Sequence, residues 1–151
     1  MNAAQRLLNM ECPKGPVDLV IDSDTWNEID DQFAISYALH ASEKLRVRAL
    51  YAAPFTNERS AGPADGMEKS YQEILKLLSL SGKTGCCPVF RGSDRYLPDE
   101  RTPVRSEAAC DLAERAGPCA GWSTTSAGTL CLPTWSGTSP PRRKALCENS
   151  A

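Results

Sequence analysis

The chain has 151 residues, 41% of them hydrophobic and 24% charged, and a net charge of −2. That length suits one domain with its own core. The composition excludes two partners: no apolar run approaches the ~18 residues of a membrane span, and the slight acidic excess leaves no electrostatic footprint for nucleic acid.

After Met1, the N-terminal stretch to Gly15 has only Leu7, Leu8 and Met10 as large apolar residues. That is too few for a secretory signal, so the cytoplasm is the expected compartment. Cys12, Cys86, Cys87, Cys110, Cys119, Cys131 and Cys147 are odd in number and lack C-x-x-C spacing. They read as thiols rather than as a zinc site or a secreted disulfide framework.

In chain order, Val17 to Ile21 is a β-branched apolar run ending in acidic residues, the pattern of a buried parallel strand entering a loop. Ile29 to Ala41 predicts a largely apolar helix against a sheet, with Asp30 and Asp31 in the first turn where the helix dipole favours anions. Leu45 to Ala53 predicts a second strand, with Leu45, Val47, Ala49 and Tyr51 on one side, ended by Pro54. Thr56 to Pro63 is a loop. From Pro63 to Leu80 the residues Met67, Tyr71, Ile74 and Leu78 recur at helical spacing, and Asp65 and Lys69 can pair at i,i+4. Ser81 to Cys87 reads as a turn, Pro88 to Phe90 as a third strand and Gly92 to Pro103 as a polar loop. Val104 to Ala116 reads as a helix with Ala108, Leu112 and Ala116 on one stripe. The expected fold class is α/β: a partial, open, mostly parallel sheet with flanking helices.

At Gly117 the character changes. Residues 1–116 hold 14 basic and 18 acidic residues, whereas beyond them Arg142, Arg143 and Lys144 stand against Glu148 alone. No apolar period places an element in 117–151, and Trp122, Trp135 and three cysteines are unusual in a disordered segment. An irregular tail, out of frame with the body or disordered, is the expectation for 117–151.

Val20-Ile21-Asp22-Ser23-Asp24-Thr25-Trp26-Asn27-Glu28-Ile29-Asp30-Asp31 gathers four aspartates around one strand-to-helix loop. In an open parallel sheet that loop borders the crevice where ligands bind. Like charges so close repel unless protons or a cation neutralise them. Carboxylate oxygens are hard donors suited to Ca²⁺ or Mg²⁺, and Ca²⁺ tolerates irregular loop geometry. Successive helical residues diverge by ~100°, so Asp30 and Asp31 cannot both face one ion equally. One suits the metal and its neighbour a substrate.

These residues resemble the N-terminal signature of the calcium-dependent, inosine–uridine-preferring nucleoside hydrolases, Asp-x-Asp followed by Asp-Asp at a helix start. The resemblance extends to Asn57 after the second strand, then to Gly66-Met67-Glu68-Lys69-Ser70, Pro88-Val89-Phe90-Arg91-Gly92 and Ser106-Glu107-Ala108-Ala109. It covers residues 17–116. It implies that Asp24 coordinates Ca²⁺ and takes a proton from the attacking water, that Asp31 is a second metal ligand, and that Asp30 and Asn57 bind the ribose of a ribonucleoside. Asp22 would orient the loop from behind. The implied reaction cleaves the N-glycosidic bond to ribose and free base, and the family commonly forms homo-oligomers. Two departures stand out. Five residues, Thr25 to Ile29, replace the family's tight Pro-Gly turn. The groups of the family's C-terminal half that stabilise the leaving base, with a further metal-binding Asp and an adjacent His, have no counterpart here, so the chain is expected to be inactive. The one histidine, His40, reads as a solvent-facing partner of its helix C-terminus. Two alternatives remain. One is a non-catalytic cation-binding remnant. The other is a haloacid-dehalogenase-like phosphatase, whose Asp-x-Asp Asp22 and Asp24 also satisfy, although Thr25-Trp26 departs from its continuation.

Overall fold

The computed structural model describes residues 2–99, 101–116, 123–124 and 129–132. In chain order the elements are α1 (Ala3–Asn9), β1 (Val17–Ser23), α2 (Ile29–His40), β2 (Leu45–Ala52), α3 (Pro63–Leu80), β3 (Val89–Arg91), α4 (Glu107–Ala116), β4 (Ser123–Thr124) and β5 (Thr129–Leu132). One sheet runs β3-β2-β1-β5-β4. Its β1, β2 and β3 are parallel, as the alternation of strands and helices requires, while β5 is antiparallel to β1 and β4 to β5. The α/β class therefore holds.

The two sheet faces are covered from different sides. Leu19 and Ile21 of β1 and Leu50 and Ala52 of β2 form one core with Ile35, Ala38 and Leu39 of α2 and Met67, Ile74 and Leu78 of α3. Val20, Ala49 and Tyr51 form a second core with Ala108 of α4, flanked by Phe90 and Leu112. Because α4 lies across the sheet from α2 and α3, the chain changes face after β3. The carboxyl end of β1 is among the parallel strand ends where open α/β sheets place ligands.

The expectation that Leu45, Val47, Ala49 and Tyr51 share one side is corrected by the register. Leu19 opposes Val47 but Val20 opposes Ala49, so β2 carries an extra residue, Arg48, at a bulge. A bulge re-phases the alternation beyond it: Leu45 and Val47 belong with the α2–α3 core, and Ala49 and Tyr51 with the α4 core. Arg46 and Arg48 thereby both reach Asp18, at 2.8 and 2.9 Å.

Three further readings change. To the three strands read from the sequence the structure adds β4 and β5, which fall in the stretch where no period could place an element; two and four residues are too few to show one. Pairing with β5 from Asp18 to Ile21 gives the free edge of β1 backbone partners. Residues 117–122, 125–128 and 133–151, and with them the rest of the tail reading, lie outside the described residues. The short helix α1 was not anticipated, since Leu7 and Leu8 make no stripe; it is started by Asn2, whose side chain accepts from the Gln5 N–H at 2.8 Å. The last helix begins at Glu107 rather than Val104, with the Ser106 hydroxyl accepting from the Ala109 N–H.

Other expectations hold. The α3 boundaries are those of the amphipathic run, with Pro63 in its first turn and the Lys69–Asp65 pair at 2.7 Å. Among the described residues Cys12, Cys86 and Cys87 are free thiols, and burial pushes that of Cys87 up to about 12. Among the described residues no helix is long and apolar enough to cross a membrane.

Behind the sheet, the buried Tyr51 meets the Phe90 ring edge-on at 5.9 Å and donates its hydroxyl to Asp111 at 2.6 Å. Asp111 is also held by Arg115. Burial first, then the Asp111 hydrogen bond and charge, raise the phenol above its usual range, so it stays protonated as the donor. Tyr51→Phe is expected to cost about 1.5–3 kcal/mol, the range for a hydrogen bond to a charged group. Urea denaturation reads this as a lower midpoint at unchanged slope; an unmoved midpoint would mean the bond adds nothing.

Candidate functional site

The site grows from the last residues of β1. Strand alternation sends Ser23 toward α2 and α3 and leaves Asp22 on the opposite face, level with Tyr51. Ser23 is buried, its hydroxyl 2.8 Å from that of the fully buried Thr25. This pair fixes the start of the loop: the Ser23 carbonyl also accepts from the Ala53 N–H at 2.9 Å, tying the ends of β1 and β2 together. Between them, Asp24 to Asn27 closes a turn, with the Asn27 N–H on the Asp24 carbonyl at 2.6 Å. The helix then starts at Ile29 with both Asp30 and Asp31 in its first turn.

The sequence-derived residues fall into three positions. Asp24 and Asp31, both half-buried, are brought together. The Asp31 carboxyl is held above the ordinary carboxylate range mainly by burial; the Ser23 hydroxyl opposes this, and Asp24 and the Asp30 charge add to it. Like charges that close repel, which favours a proton or a cation between them. Asp30 is exposed beside them. Asp22 stands apart across the sheet: it keeps an edge open to solvent, yet the surrounding protein desolvates its carboxyl and, with the Asp24 charge, pushes it up to about 6. Its link to the loop is through charge.

Asn57 reaches the cluster from the loop after β2, and it does so through a residue the sequence reading passed over. The Asn27 amide donates to Asp24 Oδ2 at 2.9 Å, and the Asn57 amide donates to Asn27 Oδ1 at 2.7 Å. Arg59 completes the connection, its guanidinium on the Asn27 carbonyl and its N–H on Asn57 Oδ1 at 2.7 Å. The available signal was Asp24 at the first position of a four-residue turn ending in Asn27, since Asp is favoured there. Nothing comparable marked Arg59.

As donors, Asp24 and Asp31 with the neighbouring hydroxyls are hard oxygens, the chemistry of a Ca²⁺ or Mg²⁺ site. In number they fall short of a cage: among the described residues no group of three or more His, Cys, Asp or Glu side chains is arranged to hold a metal. His40 is exposed, its ring on the Ser36 carbonyl at 2.8 Å at the far end of α2. A helix of 12 residues spans about 18 Å, so the chain's one imidazole lies well away from the carboxylates. Comparisons of the chain with protein-family models, with curated proteins and with solved structures find no match.

Proposed function

We propose that the carboxyl end of β1 is a site of the calcium-dependent nucleoside hydrolase kind, binding a divalent cation and the ribose of a ribonucleoside. The observation that carries the reading is the meeting of Asp24 and Asp31 at the strand end, with Asn57 joined to Asp24 through Asn27. A bound Ca²⁺ would acidify and hold a water, which is what attack on an N-ribosidic bond requires. Asp24 would accept the proton of that water, while Asp30 and Asn57 would bind ribose hydroxyls and orient the sugar. The donor set fits Ca²⁺ in kind, and with two carboxylates the remaining positions would fall to water and sugar oxygens.

The position of His40 at the far end of α2 favours a second reading for this chain, binding without turnover, since no imidazole stands near to protonate a leaving base. Calorimetric titration with Ca²⁺ tests the site. Binding is expected at about 10⁻⁴ M or weaker, and Asp24→Asn is expected to abolish it; equal binding by the variant removes the metal reading. Inosine and uridine incubated with the chain are expected to release no reducing sugar above buffer. Release that disappears in Asp24→Ala would establish hydrolysis, and cleavage of p-nitrophenyl phosphate instead would point to the phosphatase alternative.

A further inference from the structure

We infer that Asn27 is a positioning residue that sets Asn57 against Asp24, so that the sugar-binding and acidic halves of the site move as one; this rests on the reading above. The five residues between Asp24 and Asp30 form more than a connection. Their turn returns Asn27 to Asp24, with its backbone N–H on the Asp24 carbonyl and its side-chain amide on Asp24 Oδ2.

An amide is the side chain suited to this place. It offers a donor and an acceptor on one rigid plane, and Asn27 spends the donor on a carboxylate and the acceptor on the Asn57 amide. A carboxylate here would set a like charge against Asp24, and an aliphatic residue would leave Asp24 Oδ2 and the Asn57 amide without this shared partner. Asn57 is also fixed from its own loop, with its N–H on Ser60 Oγ at 3.0 Å and its Oδ1 accepting from the Arg59 N–H. Each amide hydrogen bond leaves Asn57 one further N–H and one further lone pair, which suits a pair of vicinal hydroxyls. Arg59 holds the Asn27 carbonyl, and Lys69 of α3 holds the Arg59 carbonyl. The bridge is therefore anchored to the helix behind it.

A residue that acts through Asn57 must lose its effect once Asn57 is gone. Inosine affinity at saturating Ca²⁺ is measured for the full chain and for Asn27→Ala, Asn57→Ala and the double variant. Asn27→Ala is expected to weaken inosine about tenfold, the scale of side-chain coupling in one network, and to add little in the Asn57→Ala background. A general structural role would add in full. The same four proteins are compared by thermal denaturation, which reads the coupling without any ligand. If the unsubstituted chain binds neither Ca²⁺ nor inosine, the functional reading fails, while non-additive melting shifts would still uphold the bridge between Asn27 and Asn57. Additive effects in both measurements overturn the inference.

Discussion

Size-exclusion chromatography of the purified chain is expected to give a species larger than the 16.4 kDa monomer, and Phe33→Glu to return it toward monomer. The reason lies in α2, which is apolar on two sides. Ile35, Ala38 and Leu39 are buried against the sheet, yet Ile29, Phe33 and Tyr37 are 68%, 69% and 72% exposed. Spaced by four residues, these three form one stripe along the helix, and Trp26, 39% exposed, lies just before it. The open area is on the order of 400 Å², since each aromatic side chain can bury roughly 150–250 Å². That matches the largest patch on a typical monomer, which is often a functional contact surface. Placing a charge at the centre of the stripe removes about 2–3 kcal/mol of burial per copy, or on the order of 1,000-fold or more in the association of two copies. The sequence predicts a largely apolar helix against a sheet; in the structure the sheet takes Ile35 and Leu39, and Phe33 stays open. A sharp monomeric peak with a single cooperative melting transition for the unsubstituted chain would refute the prediction.

What could be read from the sequence followed the strength of each local signal. The α3 helix was legible to its ends because eighteen residues give several turns of apolar period and Pro63 marks the start. The bulge in β2 was not, because an alternating run looks the same whether or not its partner skips a residue; only pairing with β1 reveals Arg48 as the extra one. In the site, the crowding of Asp24 and Asp31 was legible, since like charges in one loop imply proximity. The placement of Asp22 across the sheet follows from strand alternation and could have been drawn. Asn27 was hidden by its type, because an asparagine in a turn is ordinary and its use as a bridge depends on a loop thirty residues away.

The largest loss of stability is expected at a residue with no side chain. Gly66 lies in the first turns of α3, where the helix crosses the chain just beyond β2; a Cβ there would stand 2.1 Å from the Phe55 carbonyl oxygen and 2.9 Å from Phe55 C and N. These are backbone atoms of a buried residue, so neither partner can swing aside. In an exposed helix, Gly→Ala would be stabilising by about 1 kcal/mol. Here the contact reverses the sign, and Gly66→Ala is expected to cost about 3 kcal/mol, the upper end for overpacking. The same close approach recurs at Gly92, whose Cβ would stand 2.3 Å from the Ala52 carbonyl oxygen. Both glycines let their segments close on the carboxyl end of β2, from which the loop bearing Asn57 and Arg59 departs. Gly66→Ala should therefore also loosen Asn57 from Asn27 and weaken inosine more than Ca²⁺. Gly15→Ala, with nothing within 4 Å of the added carbon, supplies the control and is expected to stay within about 0.5 kcal/mol. Urea denaturation of the three proteins decides it: Gly66→Ala at or above the stability of the unsubstituted chain would show that α3 does not sit this close to the strand end.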